Sequence, residues 1–208
     1  MKCDAVFFDL DGTLWNATVA LTESWRIALD NQADVKAAPT LEQMESVMGM
    51  TAEDLTETLF PYLGLERRLE LFDICCEVEN KYLRQHGGVL YEGMIELLEA
   101  LGKHVPVAII SNCNRDYIDC FLEAHRLHRY FADWECIGRT GLQKWENIRL
   151  VAERNHVKRP VYVGDTVLDH TAAEKAGVPF IHAAYGFGKV PGVPKIEKPM
   201  ELLELLDF

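Results

Sequence analysis

Val6-Phe7-Phe8-Asp9-Leu10-Asp11-Gly12-Thr13 is the stretch whose reading decides the fold. An apolar run ends abruptly in two acids one residue apart, followed by Gly and Thr. The run reads as a buried strand of a parallel sheet. Its end delivers Asp9 and Asp11 to the carboxyl edge of that sheet, where open α/β proteins place their ligands. Two carboxylates this close repel, and a divalent cation with a taste for oxygen ligands, Mg²⁺ above all, is the usual answer. A strand leading into an ordinary Asp-Gly turn would look the same over eight residues, so the rest of the chain has to decide.

Outward from this stretch, residues 16–86 read as helical throughout. Apolar residues recur at helical spacing from Ala17 to Leu29. Pro39-Thr40 with Gln43 is a capping-box start, and Gly49 is the expected stop. Thr51 with Asp54 opens another helix that Pro61 closes. Glu66 to Gln85 is long and amphipathic, and Gly87-Gly88 breaks it. No strand signal interrupts this stretch. From residue 89 the pattern becomes strand–helix alternation. Strands are expected at Val105–Ile110, Trp134–Ile137, Val161–Val163 and Val178–Ala183, and helices at Met94–Leu101, Asp116–His125, Trp145–Asn155, Val167–Ala176 and Pro199–Leu206. Gly186, Gly188, Gly192 and the prolines between 191 and 199 suggest an irregular loop. Such alternation implies an α/β fold, a Rossmann-like parallel sheet with helices on both faces. The first strand finds its partners only after the helical stretch. The expected division is therefore a core of residues 1–15 and 88–208, split by an all-helical insert, a cap, at 16–87.

Composition narrows the class. The 208 residues are 49% hydrophobic, enough for a sizeable core. Against 33 acids stand 21 bases, a net charge of −12, which argues against nucleic acid or an anionic membrane as partner. Residues 16–86 alone carry 13 acids and 6 bases, a net −7. No apolar run approaches the ~20 residues of a membrane span. Asp4, Asp9 and Asp11 interrupt the N-terminal run, which does not read as a signal peptide. Cys3, Cys75, Cys76, Cys113, Cys120 and Cys136 form no C-x-x-C pair. Free thiols in a reducing cytoplasm are the expected state.

Three further strand ends carry polar residues: Ser111-Asn112, Gly164-Asp165 with Asp169 four residues on, and Lys144 opening the helix after the third strand. Each alone is an ordinary cap or surface group. In a parallel sheet their ends gather Asp9, Asp11, Ser111, Asp165, Asp169 and Lys144 in one crevice.

These four signatures resemble the haloacid dehalogenase superfamily of phosphohydrolases, and the likeness spans the whole chain. The helical insert after the first signature is similar to the small cap of the phosphoglycolate phosphatase-like branch. The resemblance implies Asp9 as nucleophile, forming an aspartyl-phosphate, and Asp11 as general acid and then base. It implies Ser111 on a phosphoryl oxygen and Lys144 offsetting the shared negative charge. Mg²⁺ would be held by Asp9, the Asp11 carbonyl and Asp165, with Asp169 a ligand through water or the orienter of Lys144. Leu10 and Asn112 lie beside these groups on the substrate side. Dehalogenating relatives lack the second Asp, so Asp11 favours phosphoryl transfer. Many relatives carry Lys-Pro where this chain has Lys144-Trp145. Caps of this branch often present a base between two helices, but Ser46-Val47-Met48-Gly49-Met50-Thr51 has none, which argues against a small carboxylate substrate. Met48 and Met50 suggest an adaptable leaving-group pocket, and cap core serves equally well. Trp15, Asn16 and Arg115 are further candidates for substrate contact, with Asn16 also a helix cap and Arg115 also a surface ion pair. Tyr185-Gly186-Phe187-Gly188 follows the last strand and either borders the crevice or only supplies glycines to the turn.

The implied partner is a small phosphorylated metabolite, with no nucleic acid and no membrane, and with a monomer or homodimer as the acting form. A sugar phosphomutase, to which Thr13 is unfavourable, a nucleotide or pyrophosphate hydrolase, and a non-catalytic interaction protein are the alternatives. The presence of Asp9, Asp11, Lys144 and Asp165 together speaks against the last.

Overall fold

Alternation along the first strand explains how the sheet is covered. A computed structural model describes residues 1–208, and its first strand, β1 (Ala5–Phe8), is fully buried. Val6 and Phe8 face one apolar cluster, and Ala5 and Phe7 face a second one on the other side. A strand with two buried faces has no polar alternation to show, so it reads as a continuous apolar run. Each of the larger side chains gains about 1.5–3 kcal/mol on burial.

The chain then makes β2 (Trp15–Asn16) and four helices, α1 (Thr18–Leu29), α2 (Leu41–Ser46), α3 (Ala52–Leu59) and α4 (Leu65–His86). It returns through β3 (Val89–Leu90) and continues as α5 (Met94–Leu101), β4 (Val107–Ser111), α6 (Tyr117–His125), β5 (Asp133–Cys136), α7 (Ile137–Thr140) and α8 (Lys144–Arg154). β6 (Pro160–Gly164), α9 (Val167–Ala176), β7 (Phe180–Ala183), β8 (Lys195–Ile196) and α10 (Leu202–Leu205) complete it. Six strands form one sheet in the order β5-β4-β1-β6-β7-β8, and every pairing is parallel. The connections from β1 and β4 run outward to β5, then cross back to β6 on the other side of β1. The carboxyl edge beside β1 is therefore the switch point where such sheets hold ligands.

Most predicted elements stand where the spacing puts them. Thr40 and Gln43 make the reciprocal capping box, and Thr51 accepts from the Asp54 N–H. Several details differ. The expected strand Trp134–Ile137 stops at Cys136, because Ile137 already opens the short helix α7. α2 ends at Ser46, short of Gly49, which sits in the following loop with φ 79°. The segment after Gly192 is not wholly irregular, because Lys195 and Ile196 pair with His182 and Ala183. The helical stretch is also flanked by strands: β2 and β3 pair antiparallel, Trp15 with Leu90 and Asn16 with Val89. This ribbon fastens together the two chain crossings between sheet and helical unit. Gly88 is required there, since a Cβ would lie 2.7 Å from the Trp15 ring and 2.9 Å from the Asn16 carbonyl.

Within the helical unit α1 packs along α4. Trp25 is the hub: its ring stacks on Phe60 and meets Phe72 edge-on at 6.3 Å. α4 also packs on α6 of the sheet side, where Arg84 pairs with Glu123 at 2.9 Å. No helix is long and apolar enough to cross a membrane, and all six cysteines are free thiols.

Candidate active site

Register places the acids. Phe8 lies level with Ile109 of β4 and Val163 of β6, and the Asp9 N–H bonds the Val163 carbonyl at 2.8 Å. Asp9, Ser111 and Asp165 therefore leave three adjacent parallel strands at the same edge. One carboxylate oxygen from each of Asp9, Asp165 and Asp169 lies within 4.8 Å of the others. All three residues are buried.

Lys144 answers part of that charge. It is the first residue of α8 and 4% exposed. Its Nζ donates to Asp9 Oδ1 at 2.8 Å and to Asp169 Oδ1 at 2.6 Å. Helix entry is secured without proline: the Gln143 N–H donates to the Glu146 carboxylate at 2.9 Å. Burial alone would discharge the ammonium, but the Asp169 and Asp9 charges hold its pKa well above the usual lysine range. Asp169 is committed on both oxygens, since Oδ2 accepts from the Thr166 N–H and hydroxyl. It orients Lys144 and caps α9.

Asp165 is different. Its Oδ2 accepts the Phe187 N–H at 2.7 Å, whereas Oδ1 is buried with no hydrogen-bond partner. A bare carboxylate oxygen beside a second carboxylate costs free energy unless a cation takes it. Burial and the Asp169 and Asp9 charges push the Asp165 pKa up, and burial with Asp169 pushes Asp9 up against Lys144. This donor set, all oxygen and anionic, fits a hard divalent cation. The approach is tight on every side. Gly12 has φ 80°, and a Cβ there would fall 2.2 Å from Asp165 Oδ2. A Cβ on Gly186 would fall 2.3 Å from the Gly12 carbonyl. The Tyr185 hydroxyl donates to the Thr13 carbonyl, so the loop after β7 does border the crevice.

Asp11 faces the other way, toward the helical unit. Its Oδ1 accepts the Tyr117 hydroxyl at 2.8 Å. Burial raises its pKa to about 8, opposed by the Tyr117 bond and reinforced by the Asp9 charge. A carboxyl of that strength carries a proton near neutrality and can give it up.

A cavity of about 70 Å³ opens between sheet edge and helical unit. Asp9, Asp11, Ser111 and Asn112 line it from the sheet, and Met48 and Met50 from the loop after α2. The Asn112 amide donates to the Gly49 carbonyl, tying this loop to the site. Several sequence candidates sit elsewhere. Trp15 is wholly buried, edge-on to Tyr117, Phe121 and His125, and serves the ribbon rather than the cavity. Asn16 accepts from the Thr18 N–H and hydroxyl and so starts α1. Leu10 is fully buried in the core, and its carbonyl anchors the turn through the Leu14 N–H. Arg115 is exposed and makes no ion pair.

The architecture matches a known group. A family model for haloacid dehalogenase-like hydrolases covers residues 6–183. The chain belongs to the haloacid dehalogenase-like hydrolases. It is 31% identical over 194 residues, 90% of this chain and 87% of the relative, to a phosphoglycolate phosphatase of Rhodobacter capsulatus. A phosphoglycolate phosphatase of Agrobacterium fabrum is 28% identical over 89% of this chain and 82% of its own. Among solved structures, a haloacid dehalogenase-like hydrolase from Streptococcus pneumoniae superposes with a TM-score of 0.84 at 21% identity, covering 98% of both chains. A subfamily IA hydrolase of the same superfamily from Geobacter sulfurreducens gives 0.72 at 21% identity, over 99% and 97%. The protein is thus an enzyme of the phosphoric monoester hydrolase type.

Sequence reasoning missed part of the cavity of this hydrolase. Trp25, Phe72 and Tyr117 line it, with Asn114 and the α4 acid Glu79. Glu79 Oε2 accepts the Trp25 indole N–H at 2.7 Å, and Oε1 accepts the Asn114 amide at 3.0 Å. Burial raises Glu79 from 4.5 to about 7, against both bonds. In the metal-free protein the folded chain therefore holds this proton over a range where the unfolded chain has lost it. The contribution of Glu79 to stability is fully present below pH 4.5 and is lost as pH rises from there through about 7. Urea unfolding at pH 5 and pH 7.5 should show a smaller loss in Glu79→Gln than in the wild type, the difference reaching at most roughly 3 kcal/mol. Equal losses in the two proteins would refute this account of the carboxyl.

Proposed function

We propose that this hydrolase is a Mg²⁺-dependent phosphatase that cleaves a small phosphomonoester through an aspartyl-phosphate on Asp9. The observation that carries the reading is the division of labour among the acids: Asp9 held by Lys144 beside the bare oxygen of Asp165, and Asp11 held apart by the Tyr117 hydroxyl. Asp9, Asp165 and the Asp11 carbonyl would hold the cation, which would supply charge to offset phosphate and nucleophile. Lys144 fixes the Asp9 carboxylate and faces the same charge. Asp9 attacks phosphorus, and the bond to the leaving oxygen breaks as Asp11 gives that oxygen its proton. Asp11, now a base, takes a proton from the water that attacks the aspartyl-phosphate, releasing phosphate and restoring Asp9. Ser111, at the end of β4, bonds a phosphoryl oxygen in this reading. Residues 16–87 act as the cap, closing the site to bulk water.

Phosphate release from p-nitrophenyl phosphate and a panel of small monoesters, with and without Mg²⁺, tests this. Chelation should cut turnover by at least about 100-fold, in keeping with loss of the principal charge stabiliser, and added Mg²⁺ should restore it. Undiminished turnover in the chelated enzyme would contradict the proposal.

A further inference from the structure

We infer that the preferred phosphomonoester carries an alkylammonium on its leaving group, received by Glu79 and the Trp25–Phe72 aromatic pair. This rests on the phosphatase reading above and specifies its substrate class. The charge balance of the cavity is the first argument. No Lys, Arg or His lines it, and the acids that do are Asp9, Asp11 and Glu79. At the sheet edge the anionic phosphate has Lys144 and the cation to meet it. On the helical side there is only Glu79.

The state of Glu79 is the second argument. A buried carboxylate without a counter-ion is costly, and here both hydrogen-bond donors, Trp25 and Asn114, are neutral. An ionised carboxylate has about four acceptor sites, so these two bonds leave room for further N–H donors. A substrate ammonium would be the missing counter-ion, and its presence would favour the ionised form. The aromatic rings are the third argument. Trp25 and Phe72 meet edge-on at 6.3 Å and both border the cavity, a setting that attracts an organic cation. Met48 and Met50 suit the short methylene stem. A carboxylate in the same position would face Glu79 with no base near it. Phosphoglycolate, the substrate in the relatives' names, therefore fits this cavity poorly. A volume of about 70 Å³ also favours a short leaving group over a nucleoside.

The test compares kcat/KM for 2-aminoethyl, n-propyl, 2-hydroxyethyl and carboxymethyl phosphate, with p-nitrophenyl phosphate as a general ester. Wild type should prefer 2-aminoethyl phosphate over the propyl and hydroxyethyl esters by at least about tenfold, as for a charge-assisted contact, with the carboxymethyl ester poorest. In Glu79→Gln the aminoethyl-to-propyl ratio should fall to within about threefold of one. A ratio between two substrates on one preparation does not depend on the fraction folded. Trp25→Leu should lower the same ratio. Equal rates for the aminoethyl and propyl esters, a preference for the hydroxyethyl or carboxymethyl ester, or a ratio unchanged in Glu79→Gln would each overturn the inference. If only p-nitrophenyl phosphate is cleaved, the inference fails and the phosphatase reading stands. If no ester is cleaved, both fail.

Discussion

Asp9→Asn should leave a folded protein that releases phosphate from monoesters at least about 10⁴-fold more slowly than wild type, the scale seen when a covalent nucleophile is removed. The substitution keeps the size of the side chain and leaves a carbonyl oxygen to accept from Lys144, which also retains Asp169 at 2.6 Å. It removes the negative charge and the oxygen that would bond phosphorus. Stability should not suffer in proportion. Burial and the Asp169 charge already disfavour ionised Asp9, so loss of its charge eases repulsion among three acids whose oxygens lie within 4.8 Å. Thermal melting at neutral pH, without metal, should place the variant at or above the wild type. Phosphate release under saturating Mg²⁺ checks the first half. An Asp9→Asn enzyme within tenfold of wild type would remove the nucleophile from the mechanism.

The parts legible in the sequence were those set by strand ends. An apolar run of four residues followed by Asp9 reads as a doubly covered strand once the later strand–helix alternation is added, and the register of β1 with β4 and β6 brings Ser111 and Asp165 to its side. Local capping chemistry marked the helix starts at Thr40 and Thr51. The two-residue strands β2, β3 and β8 were not legible, because periodicity has no meaning over two residues and their pairing partners lie far along the chain. Glu79 was missed for another reason. On a helix bearing many acids one more acid does not stand out, although this one lies four residues after Cys75 and four before Leu83, both buried. That spacing puts an acid on the apolar stripe of α4, and it was the available signal. Its consequence depended on α1 supplying Trp25 across the interface, which no local pattern shows. Tyr117 was likewise an aromatic on the apolar face of α6 until the fold brought its hydroxyl to Asp11.

Lys144→Met should be the most destabilising single change near the site, because it removes one partner of a buried network and keeps the shape. Nζ is the shared donor to Asp9 and Asp169, and the side chains of all three residues are at most 4% exposed. Without it two carboxylates face each other in a dry interior. Breaking a buried pair from one side costs about 3–5 kcal/mol, more than the thioether recovers by packing. The pH dependence identifies the cause. In wild type Lys144 pulls the Asp9 pKa down against burial. Its loss raises the folded value further above the unfolded one, so the variant holds an extra proton that the unfolded chain releases. A raised folded pKa gives stability that is present at low pH and declines as pH rises toward that value. Between pH 5 and 8 the lysine is charged in folded and unfolded chains alike, so it adds no slope of its own. The melting temperature of the metal-free variant should approach wild type at pH 5 and fall progressively below it by pH 8. Activity should fall by about 10²–10³-fold even where the protein is folded, as for the loss of one preorganised charge beside the reacting group. Lys144→Arg should not rescue it, since a planar fork does not replace a point donor shared between two oxygens in so small a space. Matching melting curves for Lys144→Met and wild type across that pH range would show that the ammonium is not what holds the acids together.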